Sequence, residues 1–338
     1  MKKLLTLFPA LLMIAWLGCG DSKSGPTPTS KNGTQSKKDT SPNPAKPKGL
    51  IAYTPLTLSN PFFKVIGDHI KAEAGKNGYE TIIVDPDMDV KKQSDQIDDF
   101  ISREVTAIIL VPCDRLTVGP AVKEANKAGI PVFTVDAKCA AKGVEIEGHV
   151  GTDNFQGGEL AGQAMIKALG DKGGKVLVLD FKKAHSCVLR VGGFKKVINA
   201  YNKGRETGKI IIVSELDGAG ERTKGYQSTA DALQAHEDLD AIFAINDPSA
   251  LGAWKAIDEA NKVEQITIVG FDGAKAGKQA ILEGKIYADP IQYPVKMGRE
   301  IMAKILAYQN GEDFETLELI PTTLYRKSDA EKDPELQP

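Results

Sequence analysis

Short apolar runs alternate along most of the chain with longer stretches in which apolar positions recur every three or four residues. The runs are four or five residues long, and the stretches between them have the length of helices. Strands are predicted at 50–53, 81–84, 107–111, 131–135, 175–179, 210–213, 241–245, 266–269 and 287–291. Repeated strand–helix units are typical of βαβ architecture, so the pattern predicts an α/β protein with parallel sheets.

Local signals agree with this reading at the helix ends. Asn60 is a favourable N-cap and Pro61 a favourable first helical residue, while Asn77-Gly78 is typical of a helix end. By the same reasoning Asp247-Pro248 and Asp272-Gly273 are predicted to begin helices after strands.

The alternation is interrupted at 149–154 and 291–294, and we interpret both places, with 322–325, as crossings between two lobes. The body after residue 48 has about 290 residues, which is too long for one typical core. We therefore expect two similar Rossmann-like lobes joined by a hinge of several segments. The expected N-terminal lobe comprises 49–151 and 293–321, and the C-terminal lobe 152–292 and 322–328, followed by a tail at 329–338.

The N-terminus has the layout of an export signal. Lys2 and Lys3 precede an apolar run at 4–17, which is shorter than the roughly 20 residues of a membrane-spanning helix. The following Gly18-Cys19 resembles a bacterial lipobox, which implies cleavage after residue 18 and a lipid on Cys19. An ordinary signal peptide with an incidental cysteine is the alternative.

Residues 19–48 are predicted to form a disordered tether. The segment is dominated by Ser, Thr, Pro, Lys, Gly and Asn, and such a composition does not bury enough apolar surface to offset the entropy of ordering. A lipid on Cys19 would then hold the body at a membrane of the cell envelope or periplasm.

Charge disfavours nucleic acid as a partner. Residues 1–48 contain eight lysines and two aspartates, which leaves 35 basic and 43 acidic residues in the body. Three further cysteines, Cys113, Cys139 and Cys187, would lie in an oxidising compartment if the body is exported. A Cys113–Cys139 disulfide and buried free thiols both remain open.

Polar and aromatic residues follow several predicted strands, at the edge where parallel α/β sheets bind ligands. The C–H faces of a sugar ring pack on aromatic rings, and its hydroxyls bond to carboxylates and amides, so these residues favour a sugar site. The candidates from these positions are Asn60, Phe62, Phe63, Asp136, Asn246, Asp272 and Gln292.

Four strings in order resemble the ribose-binding proteins of ABC importers, which belong to the type I periplasmic binding proteins. The strings are residues 58–63, 151–158, 243–247 and 269–273. The resemblance covers nearly the whole body and implies that fold, together with sugar contacts from the seven candidates above and from Arg190 and Phe271. It also implies a monosaccharide ligand, a membrane ABC permease as partner, and a monomer.

Two departures from the ribose binders bear on the ligand. Ala137 follows Asp136 where those proteins have Arg, and the segment 217–222 carries glycines where they have an aromatic residue. We therefore expect a pentose or a similar sugar without specifying ribose.

Simpler interpretations remain for single residues. Phe62 and Phe63 are also typical of a core, Asn60 and Asp272 of helix caps, and Asp136 of a turn, while Asp247 is interpreted only as a cap.

A sensor that presents sugar to a chemoreceptor or kinase is the alternative function. We expect no enzyme, cofactor or metal site, because the sequence has no nucleophile elbow and no metal-ligand spacing.

Overall fold

The computed structural model describes residues 47–337. The predicted signal peptide, Cys19 and nearly all of the predicted tether lie outside the described residues.

Two six-stranded sheets organise these residues. The strands of the first sheet are β1 (Leu50–Thr54), β2 (Glu80–Ile83), β3 (Ala107–Leu110), β4 (Val132–Val135), β5 (Gly148–Thr152) and β11 (Leu317–Ile320). The strands of the second sheet are β6 (Gly174–Asp180), β7 (Ile210–Asp217), β8 (Ala241–Ala244), β9 (Thr267–Val269), β10 (Ala288–Pro290) and β12 (Leu324–Arg326). Their spatial orders are β11-β5-β4-β3-β1-β2 and β12-β10-β9-β8-β6-β7.

Helices cover both faces of each sheet. Those of the first lobe are α1 (Pro61–Lys76), α2 (Val90–Ser102), α3 (Gly119–Lys127) and α9 (Pro294–Asn310). Those of the second lobe are α4 (Asn154–Leu169), α5 (His185–Asn202), α6 (Arg222–Ala235), α7 (Asp247–Glu259), α8 (Lys275–Leu282) and α10 (Lys327–Ala330), with a 3-10 turn at Gly170–Lys172. Each sheet is thus the middle layer of an α/β lobe, and the predicted two-lobed fold is confirmed.

Burial explains why the central strands are continuously apolar. All of β3 and β4 is buried in the first lobe, and all of β8 in the second, because helices lie on both sides of these strands. The N-terminus of α1 agrees with its sequence signals, since Asn60 Oδ1 accepts a hydrogen bond from the Phe62 amide and Pro61 is the first residue.

The sequence prediction missed three strands. Residues 149–152 were interpreted as part of a crossing, but β5 runs from Gly148 to Thr152 inside the first sheet. Its two glycines, together with His149, hide the usual apolar run. The strands β11 and β12 were also missed, and β12 pairs antiparallel with β10, so the second sheet is not wholly parallel as predicted.

The chain passes three times between the sheets: between β5 and α4, between β10 and α9, and between β11 and β12. The end of the chain then packs on the second lobe. Lys278 of α8 forms ion pairs with Asp333 and Glu335, and Asp333 also accepts a hydrogen bond from the Tyr325 hydroxyl.

Glycines allow the backbones of α4 and α5 to pack in direct contact. A β-carbon on Gly158 would overlap the carbonyl oxygen of Arg190, and one on Gly193 would overlap the carbonyl oxygen of Phe155. The close approach fixes the position of Arg190, whose side chain enters the site described below.

Gly158→Ala is therefore expected to destabilise the protein by about 3 kcal/mol, because an added methyl group must separate two packed backbones. Gly75→Ala is the control: it lies in α1 with open space around its β-carbon position, so alanine is expected to stabilise the helix by about 0.5–1 kcal/mol. Denaturant unfolding measures both changes, and equal effects at the two positions would contradict the packing argument.

Candidate functional site

The side chain of Arg190 lies at the centre of a group of polar residues between the lobes. The residue is 3% exposed, and its guanidinium donates to Asn154 Oδ1 at 2.7 Å, to the Ile245 carbonyl at 2.7 Å and to Asp272 Oδ1 at 2.9 Å. The guanidinium also stacks 3.8 Å from the centroid of the Phe271 ring. These contacts come from three segments, the start of α4 and the residues after β8 and β9, and they fix the plane of the cation.

Asp272 and Gln292 join this group from the carboxyl ends of β9 and β10. Gln292 Nε2 donates to Asp272 Oδ1 at 2.6 Å, and its Oε1 accepts from the Thr152 hydroxyl at 2.7 Å. Burial raises the pKa of Asp272, and the charge of Arg190 opposes the shift. The backbone of Asp272 has a φ of 103°, which an aspartate tolerates only where surrounding contacts hold it.

Asp136 enters from the first lobe, directly after β4. It is 7% exposed, and its Oδ1 is buried without a hydrogen-bond partner among the described residues. Burial raises the pKa of Asp136 to about 7; Arg190 lowers it and Asp272 raises it further, so the three charged groups are near neighbours. A buried acceptor without a partner costs about 1–3 kcal/mol, and a hydroxyl from a ligand would remove that cost.

Asn60, Phe62 and Phe63 lie at the start of α1. The two rings are buried and meet edge to face with centroids 5.2 Å apart. Both rings also belong to the apolar core of the first lobe, as the core interpretation predicts, while sugar stacking stays a prediction. Asn60 has the predicted capping role through its Oδ1.

Asn246 is the N-cap of α7, a role that the sequence prediction gave to Asp247. The Oδ1 of Asn246 accepts from the Ser249 amide at 3.0 Å, and its Nδ2 donates to the Gly220 carbonyl at 2.9 Å. Asp247 instead accepts a hydrogen bond from the Ala274 amide ahead of α8, so the cap prediction for Asp247 is wrong.

A second buried acid lies beside Asp247. Burial raises the pKa of Asp247, and it raises that of Asp289 to about 7; the nearby Asp289 raises the pKa of Asp247 further. Two neighbouring carboxyl groups do not both ionise readily when they are buried, so the pair of Asp247 and Asp289 retains a proton.

Phe181, which the sequence prediction did not select, borders the same site. A β-carbon on Gly220 would lie 3.1 Å from Asn246 Nδ2 and 4.0 Å from the Phe181 ring. An aromatic ring is therefore present near the glycines of 217–222, but it comes from the loop after β6. Phe181 directly follows β6, and this position after a strand is the sequence signal that could have identified it.

Contacts across the lobes show a closed cleft. Arg115, after β3, donates from its backbone amide to the Lys183 carbonyl at 2.8 Å and from Nε to the Lys182 carbonyl at 3.1 Å. Leu56 packs against the apolar cores of both lobes, and Met88 of the first lobe packs against that of the second.

The three cysteines of the body are free thiols, which answers the question left open by the sequence. Within residues 47–337 we find no cluster of His, Cys, Asp and Glu suited to a metal ion. The same part of the chain has no helix with the length and apolarity needed to cross a bilayer.

The site is a closed set of fixed hydrogen-bonding groups and rings, an arrangement suited to holding a small polar ligand.

Comparison with known proteins agrees with this geometry. A family model described as a periplasmic binding protein domain matches residues 51–313. The ribose import binding protein of Salmonella typhimurium is 35% identical over 266 residues, which cover 78% of this chain and 86% of that protein. The D-apiose import binding protein of Paraburkholderia graminis is 33% identical over 248 residues, covering 73% and 77%.

A solved structure extends the likeness to three dimensions. The ABC transporter solute-binding protein of Agrobacterium vitis with bound D-fucose has a TM-score of 0.77 and 29% identity, covering 85% of this chain and 98% of that one. These relatives are binding proteins of transport systems and not enzymes. The chain belongs to the periplasmic binding protein family and resembles its ribose-binding members.

Proposed function

We propose that this protein is a lipid-anchored, extracytoplasmic solute-binding protein that captures a monosaccharide, a pentose or a similar sugar, and delivers it to an ABC permease. The ligand would lie between the lobes, in contact with Asn60, Phe62, Phe63, Asp136, Arg190, Asn246, Phe271, Asp272 and Gln292.

One observation carries the proposal. Asp136 from the first lobe has a buried oxygen without a partner among the described residues, and the charges of Arg190 and Asp272 from the second lobe act on its pKa. A ligand stabilises the closed form only if it binds that form better than the open one. A ligand that bonds to Asp136 and Asp272 together meets this condition, because opening separates the two carboxylates.

The chemistry of these groups favours a sugar over an ion or an apolar molecule. Carboxylates and a fixed guanidinium suit neighbouring hydroxyls, while the rings of Phe62 and Phe63 suit C–H faces. The relatives named for ribose and apiose, and the neighbour with bound D-fucose, support the same class.

The identity of the sugar depends on positions that differ from the ribose binders. Ala137 is buried and contributes no guanidinium next to Asp136, and Gly220 contributes no ring. A site with one cation fewer and a differently placed ring is expected to prefer a sugar other than ribose.

The proposal that the protein is anchored at a membrane and delivers its sugar to a permease is supported by the sequence and by the relatives. The lipobox-like Gly18-Cys19 and the tether-like composition of 19–48 support anchoring at a membrane. Relatives named as import binding proteins support an ABC permease as the partner. Capture by a single closing body supports a monomer.

A thermal-shift screen over pentoses, hexoses and sugar alcohols tests the proposal. A sugar present at 100 times its Kd contributes about 2.7 kcal/mol and raises Tm by about 5 °C. Asp272→Asn is expected to abolish the shift because it removes the negative charge that pairs with Arg190 and replaces one acceptor oxygen by a donor, while Asp258→Asn, on the exposed face of α7, should leave it intact. A screen without any shift, or an unaffected Asp272→Asn variant, would reject the proposal.

A second prediction concerns the stability of the ligand-free protein. Burial raises the pKa of Asp136 to about 7, so the folded state holds a proton that the unfolded chain releases near pH 4. Stability contributed by this group is present below pH 4 and is lost as pH rises toward 7. Asp136→Asn removes the titration and should raise the unfolding free energy at pH 8 by on the order of 3 kcal/mol, while weakening sugar binding.

Unfolding of wild type and Asp136→Asn at several pH values between 4 and 8 measures this effect. The gain from the substitution should shrink toward zero at pH 4. Curves that stay parallel over the whole range would show that Asp136 is not a buried, unpaired acid.

A further inference from the structure

Five buried residues form a closed ring of hydrogen bonds at the place where the chain first crosses between the lobes. The residues are 1% to 7% exposed. They are Thr152, Asn154, Arg190, Asp272 and Gln292. Arg190, Asp272 and Gln292 are proposed sugar contacts, whereas Thr152 and Asn154 are not.

Each residue of the ring makes two of its bonds. The Thr152 hydroxyl donates to Gln292 Oε1 at 2.7 Å, and Gln292 Nε2 donates to Asp272 Oδ1 at 2.6 Å. Arg190 Nη1 donates to the same Asp272 oxygen at 2.9 Å, and Arg190 Nε donates to Asn154 Oδ1 at 2.7 Å. Asn154 Nδ2 closes the ring on the Thr152 carbonyl oxygen at 3.0 Å.

The ring spans the first crossing between the lobes. Strand β5 ends at Thr152 and α4 begins at Asn154, so Asp153 is the whole of this crossing. Gln292 lies in the second crossing, between β10 and α9. Rotation of the lobes changes backbone torsions in such segments. Because Thr152 and Asn154 lie on opposite sides of Asp153, a change of torsion there moves two neighbouring members of the ring relative to each other.

The Thr152 hydroxyl fixes the orientation of the Gln292 amide. Since Oε1 accepts the hydroxyl proton, Nε2 is turned toward the carboxylate of Asp272. The opposite orientation would place the amide oxygen against a carboxylate oxygen and lose that bond. The ring uses one of the two Nε2 protons and one lone pair of Oε1, so the amide keeps one donor and one acceptor for sugar hydroxyls.

Asn154 has the corresponding effect on the guanidinium of Arg190. Stacking on Phe271 fixes the plane of the cation, and the bonds from Nε and Nη1 fix its rotation within that plane. Nη2 takes no part in these bonds and is therefore the nitrogen available to a sugar hydroxyl.

We infer that Thr152 and Asn154 are positioning residues for the sugar: they orient Gln292 and Arg190, and they make this orientation depend on the angle between the lobes. The inference rests on the proposed function, because it concerns contacts with the same sugar. Rotation at Asp153 separates Thr152 from its partners, so the donors of the second lobe take up their binding arrangement only as the lobes close.

Calorimetry on the full chain tests this role with the sugar that gives the largest thermal shift, starting from D-ribose, D-apiose and D-fucose. Thr152→Val keeps the shape of the side chain but removes the hydroxyl, and it should weaken binding about tenfold. Thr152→Ser keeps the hydroxyl and should bind within about threefold of wild type.

Thr229→Val is the matched control. Thr229 is as deeply buried as Thr152, and its hydroxyl donates to the Gly225 carbonyl at 2.7 Å within α6, away from the ring. This variant should keep the sugar affinity within about twofold of wild type, because distant sites act independently. Denaturant unfolding shows that each variant is folded under the conditions of the titration.

A double variant tests whether the bonds act as one ring. Asn154→Ser shortens the side chain so that it no longer reaches from Arg190 to the Thr152 carbonyl, and alone it should also cost about tenfold in affinity. Either change opens the ring, so Thr152→Val combined with Asn154→Ser should lose clearly less than the roughly hundredfold expected of independent contacts.

Unchanged affinity in Thr152→Val would overturn the positioning role. So would a Thr152→Ser variant that binds as weakly as Thr152→Val, or an equal loss in Thr229→Val. A full hundredfold loss in the double variant would overturn the coupling between Thr152 and Asn154. A wild type that binds none of the sugars in the thermal-shift screen would reject the proposed function itself, and this role with it.

Discussion

The buried guanidinium of Arg190 is the interaction on which the site depends. It bonds to Asp272, to Asn154 and to the end of β8, and it stacks on Phe271, so three other segments of the second lobe meet at one planar cation. A buried charge is tolerated only with partners on most of its donors. The first lobe completes the environment with Asp136, whose pKa responds to the charges of Arg190 and Asp272.

The fold places these groups by means of close backbone contacts. Gly158 and Gly193 allow α4 and α5 to touch, which fixes the backbone from which Arg190 extends. Phe271, Asp272 and Gln292 follow strands of the same parallel region, where the carboxyl ends of neighbouring strands meet. Gln292 also bonds to Thr152 at the end of β5, so one amide links the site to a crossing between the lobes.

Much of this arrangement was predictable from the sequence. Apolar runs gave the nine predicted strands, and the position after each strand gave most candidate site residues. Arg190 required the resemblance to ribose-binding proteins, because its position has no local signal, whereas Phe271 follows a predicted strand as most of the other candidates do. The strand β5 was missed since Gly148 and Gly151 interrupt its apolar pattern, and the contacts of Arg115 and Phe181 depend on how two distant segments meet, which periodicity does not encode.

The central claim is that a sugar stabilises closure by bonding to both lobes. Small-angle X-ray scattering of the body with and without the tightest-binding sugar tests it directly, because opening of the hinge enlarges the radius of gyration. We predict that the sugar contracts the wild-type protein to the dimensions of the closed structure and that Asp136→Asn contracts less at equal sugar concentration. An unchanged radius of gyration in wild type at saturating sugar would contradict the account.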